Sequence, residues 1–185
     1  MKTMLFQKGM KAAGVAVLLM GMMAVNAVSA ADEKGEMSKV LTVSGAVKKP
    51  LTLSLKDLQA MKQSKQVKDI AIVCQSGANK GQMESLTGVP LKTILLEAGL
   101  NVSHPKDFRK LAIIAKATDP YWVTYSWGEI FNRQDGDGVM VYYARDGKLL
   151  DEKEGQFALM PTGDARTGAR QVKWLTHIEV RKLEP

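Results

Sequence analysis

The sequence predicts an α+β fold, with mixed β-sheets and short peripheral helices. Three observations carry this. Short apolar runs, several alternating with polar residues and rich in Val, Ile, Thr and Tyr, outnumber the helical patterns. Those helical patterns are short and scattered among the strands. No regular strand–helix–strand succession, internal repeat or low-complexity tract is present, which argues against a parallel array.

The chain has 185 residues and a formal net charge of +7. Residues 1–30 read as a secretory signal peptide. Lys2, Lys8 and Lys11 form a basic start, residues 12–25 are almost uncharged and apolar, and Val28-Ser29-Ala30 offers small residues for cleavage. A retained anchor is the alternative, but the apolar run falls short of the ~20 residues a membrane span needs. The nearest approach to a twin-arginine signal, Lys8-Gly9-Met10-Lys11, contains no arginine. A Sec-type route and a periplasmic or secreted location follow, with no membrane span after cleavage. Residues 31–39 read as a flexible lead-in and residues 40–185 as a single domain. Cleavage removes three lysines and no acid, so +7 becomes +4. That surplus favours anionic ligands weakly. No basic run interleaved with aromatics exists, so nucleic acid is not an expected partner.

Residues 40–45 alternate and end at Gly45, a strand. Ser54 caps a short helix over residues 55–61 with Asp57 in its first turn. Residues 67–73 form an apolar strand that delivers Cys74. Residues 75–82 hold two glycines, a serine and an asparagine and read as a loop. Pro90 opens a helix through Ala98, which Gly99 stops. Residues 110–118 and 121–125 are strands around an Asp119-Pro120 turn, and Ser126 caps a helix through Phe131. Asp135-Gly136-Asp137-Gly138 is a turn. It resembles the start of a calcium loop but lacks the later ligands. Strands follow at residues 139–143, 156–160 and 176–181, with a polar loop over 162–168.

Cys74 is the only cysteine, so an exported chain has no internal disulfide. Its thiol is an inert core group, a metal ligand or a reactive group. Residues 168–175 set Arg170 and Lys173 inside a strand-like run and would receive an anion. His104 and His177 read as surface residues. No Ser-His-Asp pattern, P-loop, dinucleotide glycine motif or haem motif is present, so neither NAD nor haem is expected.

Several segments together resemble the molybdopterin-binding domain of the sulfite oxidase family. They are Val43-Ser44-Gly45-Ala46-Val47 with residues 53–58, Cys74, Leu86-Thr87-Gly88-Val89-Pro90-Leu91 with residues 94–100, the aromatic strand at 119–125, and residues 168–175. The short interval from Cys74 to Gly88 is more similar to the bacterial methionine-sulfoxide reductase branch. The resemblance implies that fold across nearly the whole exported chain. It implies a Mo-molybdopterin cofactor, with Cys74 as molybdenum ligand and Arg170, Gln171 and Lys173 as the anchoring segment. Lys80 stands in for the cation that follows the cysteine. The implied activity is oxygen-atom transfer, with a small-molecule substrate and electrons from a partner protein. No residue is singled out as catalytic.

The chain departs from the family at one position that bears on the cofactor. Four residues ahead of Pro161 the family carries an arginine, and here Phe157 replaces that phosphate-binding fork with a phenyl ring. A Sec-exported chain would also acquire any cofactor after export. The alternative function is therefore a cofactor-free module that binds a small anion or other ligand in the same pocket, as a sensory subunit. A thiol-based function at Cys74 is the third.

Overall fold

The computed structural model describes residues 35–184. The signal-peptide reading of residues 1–30 lies outside the described residues. Strand β1 (Leu41–Gly45) and strand β2 (Leu51–Leu53) pair antiparallel. Helix α1 (Leu55–Ala60) begins where expected, because Ser54 and Asp57 form a reciprocal capping box. A long hairpin follows, β3 (Lys65–Val73) and β4 (Asn79–Pro90). Helix α2 (Leu91–Ala98) ends at Gly99, whose φ of 64° lies in the left-handed region. Strands β5 (Leu111–Ala117) and β6 (Trp122–Ser126) lead into helix α3 (Trp127–Phe131), capped by Ser126 and Glu129. The chain closes with β7 (Val139–Arg145), β8 (Lys148–Leu149), β9 (Ala158–Pro161) and β10 (Leu175–Lys182).

Two five-stranded sheets result. The first has the order β2-β1-β10-β5-β6, and the second runs β3-β4-β7-β8 with β9 also on β7. Only the β1–β10 pairing is parallel, which makes the first sheet mixed and the second antiparallel. On the outer face of that parallel pair, the half-buried His177 ring sits between the Thr42 and Ser44 hydroxyls, at 2.6 and 3.1 Å. This is the predicted α+β class.

Strand β7 is buried on both faces of the second sheet. Val139, Val141 and Tyr143 join the main core with Leu41, Ile94, Ile113 and Ile178. The alternate residues Met140 and Tyr142 join a smaller core with Ile70, Met83, Leu86, Ala158 and Met160. The two-residue period of the strand divides the two sets. Each fully buried side chain of this size contributes about 1.5–3 kcal/mol. Gly88 permits the β4–β7 approach, since a Cβ there would stand 2.2 Å from the Val141 carbonyl oxygen.

Two sequence expectations change. The loop read over residues 75–82 is shorter, because β4 starts at Asn79. Residues 168–175 are not a strand until Leu175: they begin in a 3-10 turn over Thr167–Arg170 and bend at Trp174. Two short strands, β2 and β8, and a 3-10 turn over Pro105–Lys110 have no counterpart in the sequence reading.

Candidate functional site

Cys74 stands at the closing end of the β3–β4 hairpin. Its N–H donates to the Ala78 carbonyl at 2.9 Å, and its carbonyl accepts from the Gly77 N–H at 2.8 Å. Gly77 has φ +87°, so a left-handed glycine closes the three-residue turn. This places the thiol at the tip of two paired strands, and the residue is half-buried. Lys80 is exposed on the return strand, one residue beyond Asn79, which pairs with Val73.

The second predicted segment reaches the first through its neighbours. The Thr167 hydroxyl donates to the Ala71 carbonyl at 2.5 Å and accepts the Val73 N–H at 3.1 Å. Thr167 is buried, and a Cβ on Gly168 would lie 3.2 Å from the Val73 carbonyl oxygen. The start of the 167–175 segment is therefore fastened to the strand end that carries Cys74. Sequence reasoning missed Thr167. Its only signal was a Thr-Gly pair closing a polar loop.

The segment then divides its side chains. Arg170 forks onto both Asp164 carboxylate oxygens at 2.8 Å, donates to Glu129 at 2.8 Å, and lies 4.4 Å from the centre of the Tyr125 ring. The Asp164 carboxylate above all, with Glu129 beside it, holds the guanidinium above its ordinary pKa against the opposing effect of burial. Gln171 donates its amide to the Tyr142 hydroxyl at 2.8 Å. That hydroxyl donates to Glu154 at 2.9 Å, and Arg145 answers Glu154 at 2.6 Å. Burial, with the Glu154 carboxylate beside it, pushes the Tyr142 phenol well up, so it remains a donor. Val172 bridges Leu159 on β9. Lys173 is half-buried, and no ion pair engages it or Lys80 among the described residues.

Trp174 bends the chain at φ 48°, a conformation uncommon for a bulky residue. Its indole N–H donates to the Glu152 carbonyl at 2.9 Å, and its N–H to the Glu154 carbonyl at 2.7 Å. Gly155 accepts this close approach, since a Cβ there would meet the Trp174 backbone at 2.6 Å. The bend thus shares Glu154 with the Tyr142 hydroxyl, which in turn holds Gln171.

Two cavities adjoin the Arg170 cluster. A polar one of about 240 Å³ is lined by Arg170, Asp164, Glu129 and Arg133. A larger one of about 840 Å³ lies over β5 and β6. Neither includes Cys74, Lys80 or Lys173 in its lining. Phe157 is fully buried in the main core.

Two mixed and antiparallel sheets with short helices, and a cysteine strand tied to a cationic segment, define a class of protein. Residues 30–185 match the family model described as the oxidoreductase molybdopterin binding domain, and the chain belongs to that family. Among solved structures it is similar in fold to the sulfane dehydrogenase SoxCD from Paracoccus pantotrophus, with a TM-score of 0.63 and 22% identity. The match covers 80% of this chain and 40% of that one, so the chain spans well under half of that relative. No curated protein matches. No described helix is long and apolar enough to cross a membrane.

The family implies a Mo-molybdopterin cofactor. The donor set fits such a group at its metal end. Cys74 offers a half-buried soft ligand, and no cluster of three or more His, Cys, Asp or Glu competes for a metal among the described residues. Lys80 and Lys173, the lysines expected at the phosphate end, would act there as point charges. Arg170 is already neutralised by two carboxylates, and the arginine fork is replaced by the core residue Phe157.

Proposed function

We propose that this chain is an exported oxidoreductase domain in which Cys74 is the protein ligand of a molybdenum held by molybdopterin. The substrate class would be a small sulfur or nitrogen oxyanion or a sulfoxide. The observation that supports this best is the Thr167 hydroxyl, which fixes the end of the Cys74 strand to the head of the cationic segment. When bound, the cofactor supplies two-electron chemistry suited to oxygen-atom transfer.

The chain's own residues then bind and orient. Cys74 supplies the thiolate from a hairpin whose turn is closed by backbone hydrogen bonds. Lys80 and Lys173 carry unpaired positive charge for the phosphate. Tyr142 holds the amide of Gln171 by its nitrogen, which leaves the amide oxygen free to accept. Arg170 keeps the segment in place through Asp164 and Glu129. With no haem motif in the sequence, electrons would come from another protein. Protein isolated from its native compartment should hold one molybdenum per chain, and Cys74→Ser should abolish it. Metal-free native protein that folds normally would overturn this reading.

A second reading is favoured by Phe157 and by the neutralised Arg170. In it the chain is a cofactor-free module that takes a small oxyanion at Lys80 and Lys173. Sulfate or phosphate should then raise the melting temperature of metal-free protein, as any ligand bound only by the native state does. No shift with any oxyanion would sink it.

A further inference from the structure

The outer face of the first sheet carries a feature that neither reading uses. Strand β5 presents Leu111, Ile113, Ala115 and Ala117 to the main core. Its alternate residues, Ala112, Ile114 and Lys116, face the other way and line the 840 Å³ recess. Ile114 is only 6% exposed yet belongs to neither core. With Ala112 and Lys116 it forms the floor of the recess. From Ala112 to Lys116 the floor runs four residues, about 13 Å at the rise of an extended strand. Its volume lies within the range of small-molecule sites, about 300–1,000 Å³.

The two ends differ in chemistry. At one end stand Tyr121 and Trp122, 41% and 59% exposed, large aromatic surfaces left in solvent. The Tyr121 hydroxyl donates to the Ala169 carbonyl at 2.8 Å, which holds that ring in place. At the other end stand Arg109, Lys110 and Arg181. Arg181 shares Glu179 with Lys116, at 2.7 and 2.6 Å, and Lys110 pairs with Asp107 at 3.2 Å, while Asp119 and Glu129 also line the recess. Arg109 has no ion pair among the described residues.

We infer that this recess is a second ligand site, for an elongated small molecule with a planar aromatic ring at one end and an anionic group at the other. The ring stacks on Trp122 beside Tyr121. The small side chain of Ala112 leaves the floor low enough for a flat molecule, and the anion reaches Arg109, the cation there with no ion pair among the described residues. The inference is independent of whether Cys74 holds a metal.

Flavin mononucleotide and riboflavin are suitable probes, because they share a planar ring and differ by the phosphate. Calorimetric titration of the purified full chain should show one saturable site for the mononucleotide and weaker binding of riboflavin. Trp122→Ala should weaken both ligands about tenfold, the scale of a lost aromatic stack. Arg109→Glu should weaken the mononucleotide and leave riboflavin unchanged. Cys74→Ser should change neither, which separates this site from the proposed metal site. Trp122 and Arg109 are exposed, so their replacement does not threaten the fold. The inference is overturned by absence of saturable binding, by equal affinity for the two probes, or by affinities that Trp122→Ala leaves unchanged.

Discussion

Thr167 closes onto Val73: its hydroxyl accepts the Val73 N–H at 3.1 Å while donating to the Ala71 carbonyl at 2.5 Å. Strand β3 is the edge of the second sheet, so one of its sides has no strand to pair with. A single buried hydroxyl satisfies two of those edge groups. It does so one residue before Cys74. The position of the thiol therefore depends on a loop more than ninety residues later in the chain, |i−j| being 94 for the Val73 bond.

Replacing Thr167 by Val keeps the shape and removes both hydrogen bonds. The Val73 N–H and Ala71 carbonyl lose their partner, at a cost of about 1–3 kcal/mol in unfolding free energy. Thr167→Ser should retain most of it. Hydrogen exchange at the Val73 amide is the local readout: it should speed up in the Val variant and stay near wild type in the Ser variant. Unchanged exchange in Thr167→Val would mean that the hydroxyl does not fix the Cys74 arm.

Phe157 gives the sharpest test of the phosphate end. Its ring is fully buried in the main core, and its carbonyl accepts the Leu175 N–H at 2.8 Å. Phe157→Arg would place an unpaired cation among apolar side chains, a penalty of at least several kcal/mol. Loss of cooperative unfolding in a urea titration is the expected outcome. Phe157→Leu should cost about 1 kcal/mol, within the range for hydrophobic swaps. If Phe157→Arg folded with wild-type stability, the position would face the site, and a phosphate fork could be restored there.

The elements with self-contained signals were legible in the sequence. Ser54 with Asp57 and Ser126 with Glu129 formed the expected caps, and Gly99 took its left-handed turn. The Cys74 hairpin was only half legible. Gly77, Asn79 and Gly81 have loop composition, yet the backbone pairing of Asn79 with Val73 extends the sheet regardless of side chain. Strand β3 is mostly exposed at an edge and so shows little of the alternation that marks a half-buried strand. Residues 168–175 misled in the opposite sense. Val172, Trp174 and Leu175 look like a strand, but Trp174 is turned to φ 48° by contacts with Glu152, Glu154 and Gly155, none of them near in sequence. The Arg170 cluster was legible as charge but not as pairing. Glu129 and Asp164 meet it only because α3 and the loop after β9 converge.

That cluster sets the last prediction, which concerns pH. Burial pushes the Glu129 carboxyl up, but the Ser126 N–H and the Arg170 guanidinium outweigh it and hold the group below its ordinary value of 4.5. A carboxyl whose pKa is lower in the folded state stabilises the fold fully above the unfolded value. The contribution fades as pH falls through the folded value. Arg170→Gln removes the bidentate fork on Asp164 and the bond to Glu129. At neutral pH it should cost about 1–3 kcal/mol, toward the lower end because the pairs are partly exposed. The gap between wild type and variant should be widest above pH 4.5 and narrow below it, as Glu129 takes up its proton. Arg170→Lys should fall between the two, since it keeps the charge and loses the fork. Urea denaturation at neutral and acid pH measures all three. A gap that stays constant across that range would show that Arg170 acts through packing on Tyr125, and not through its carboxylate partners.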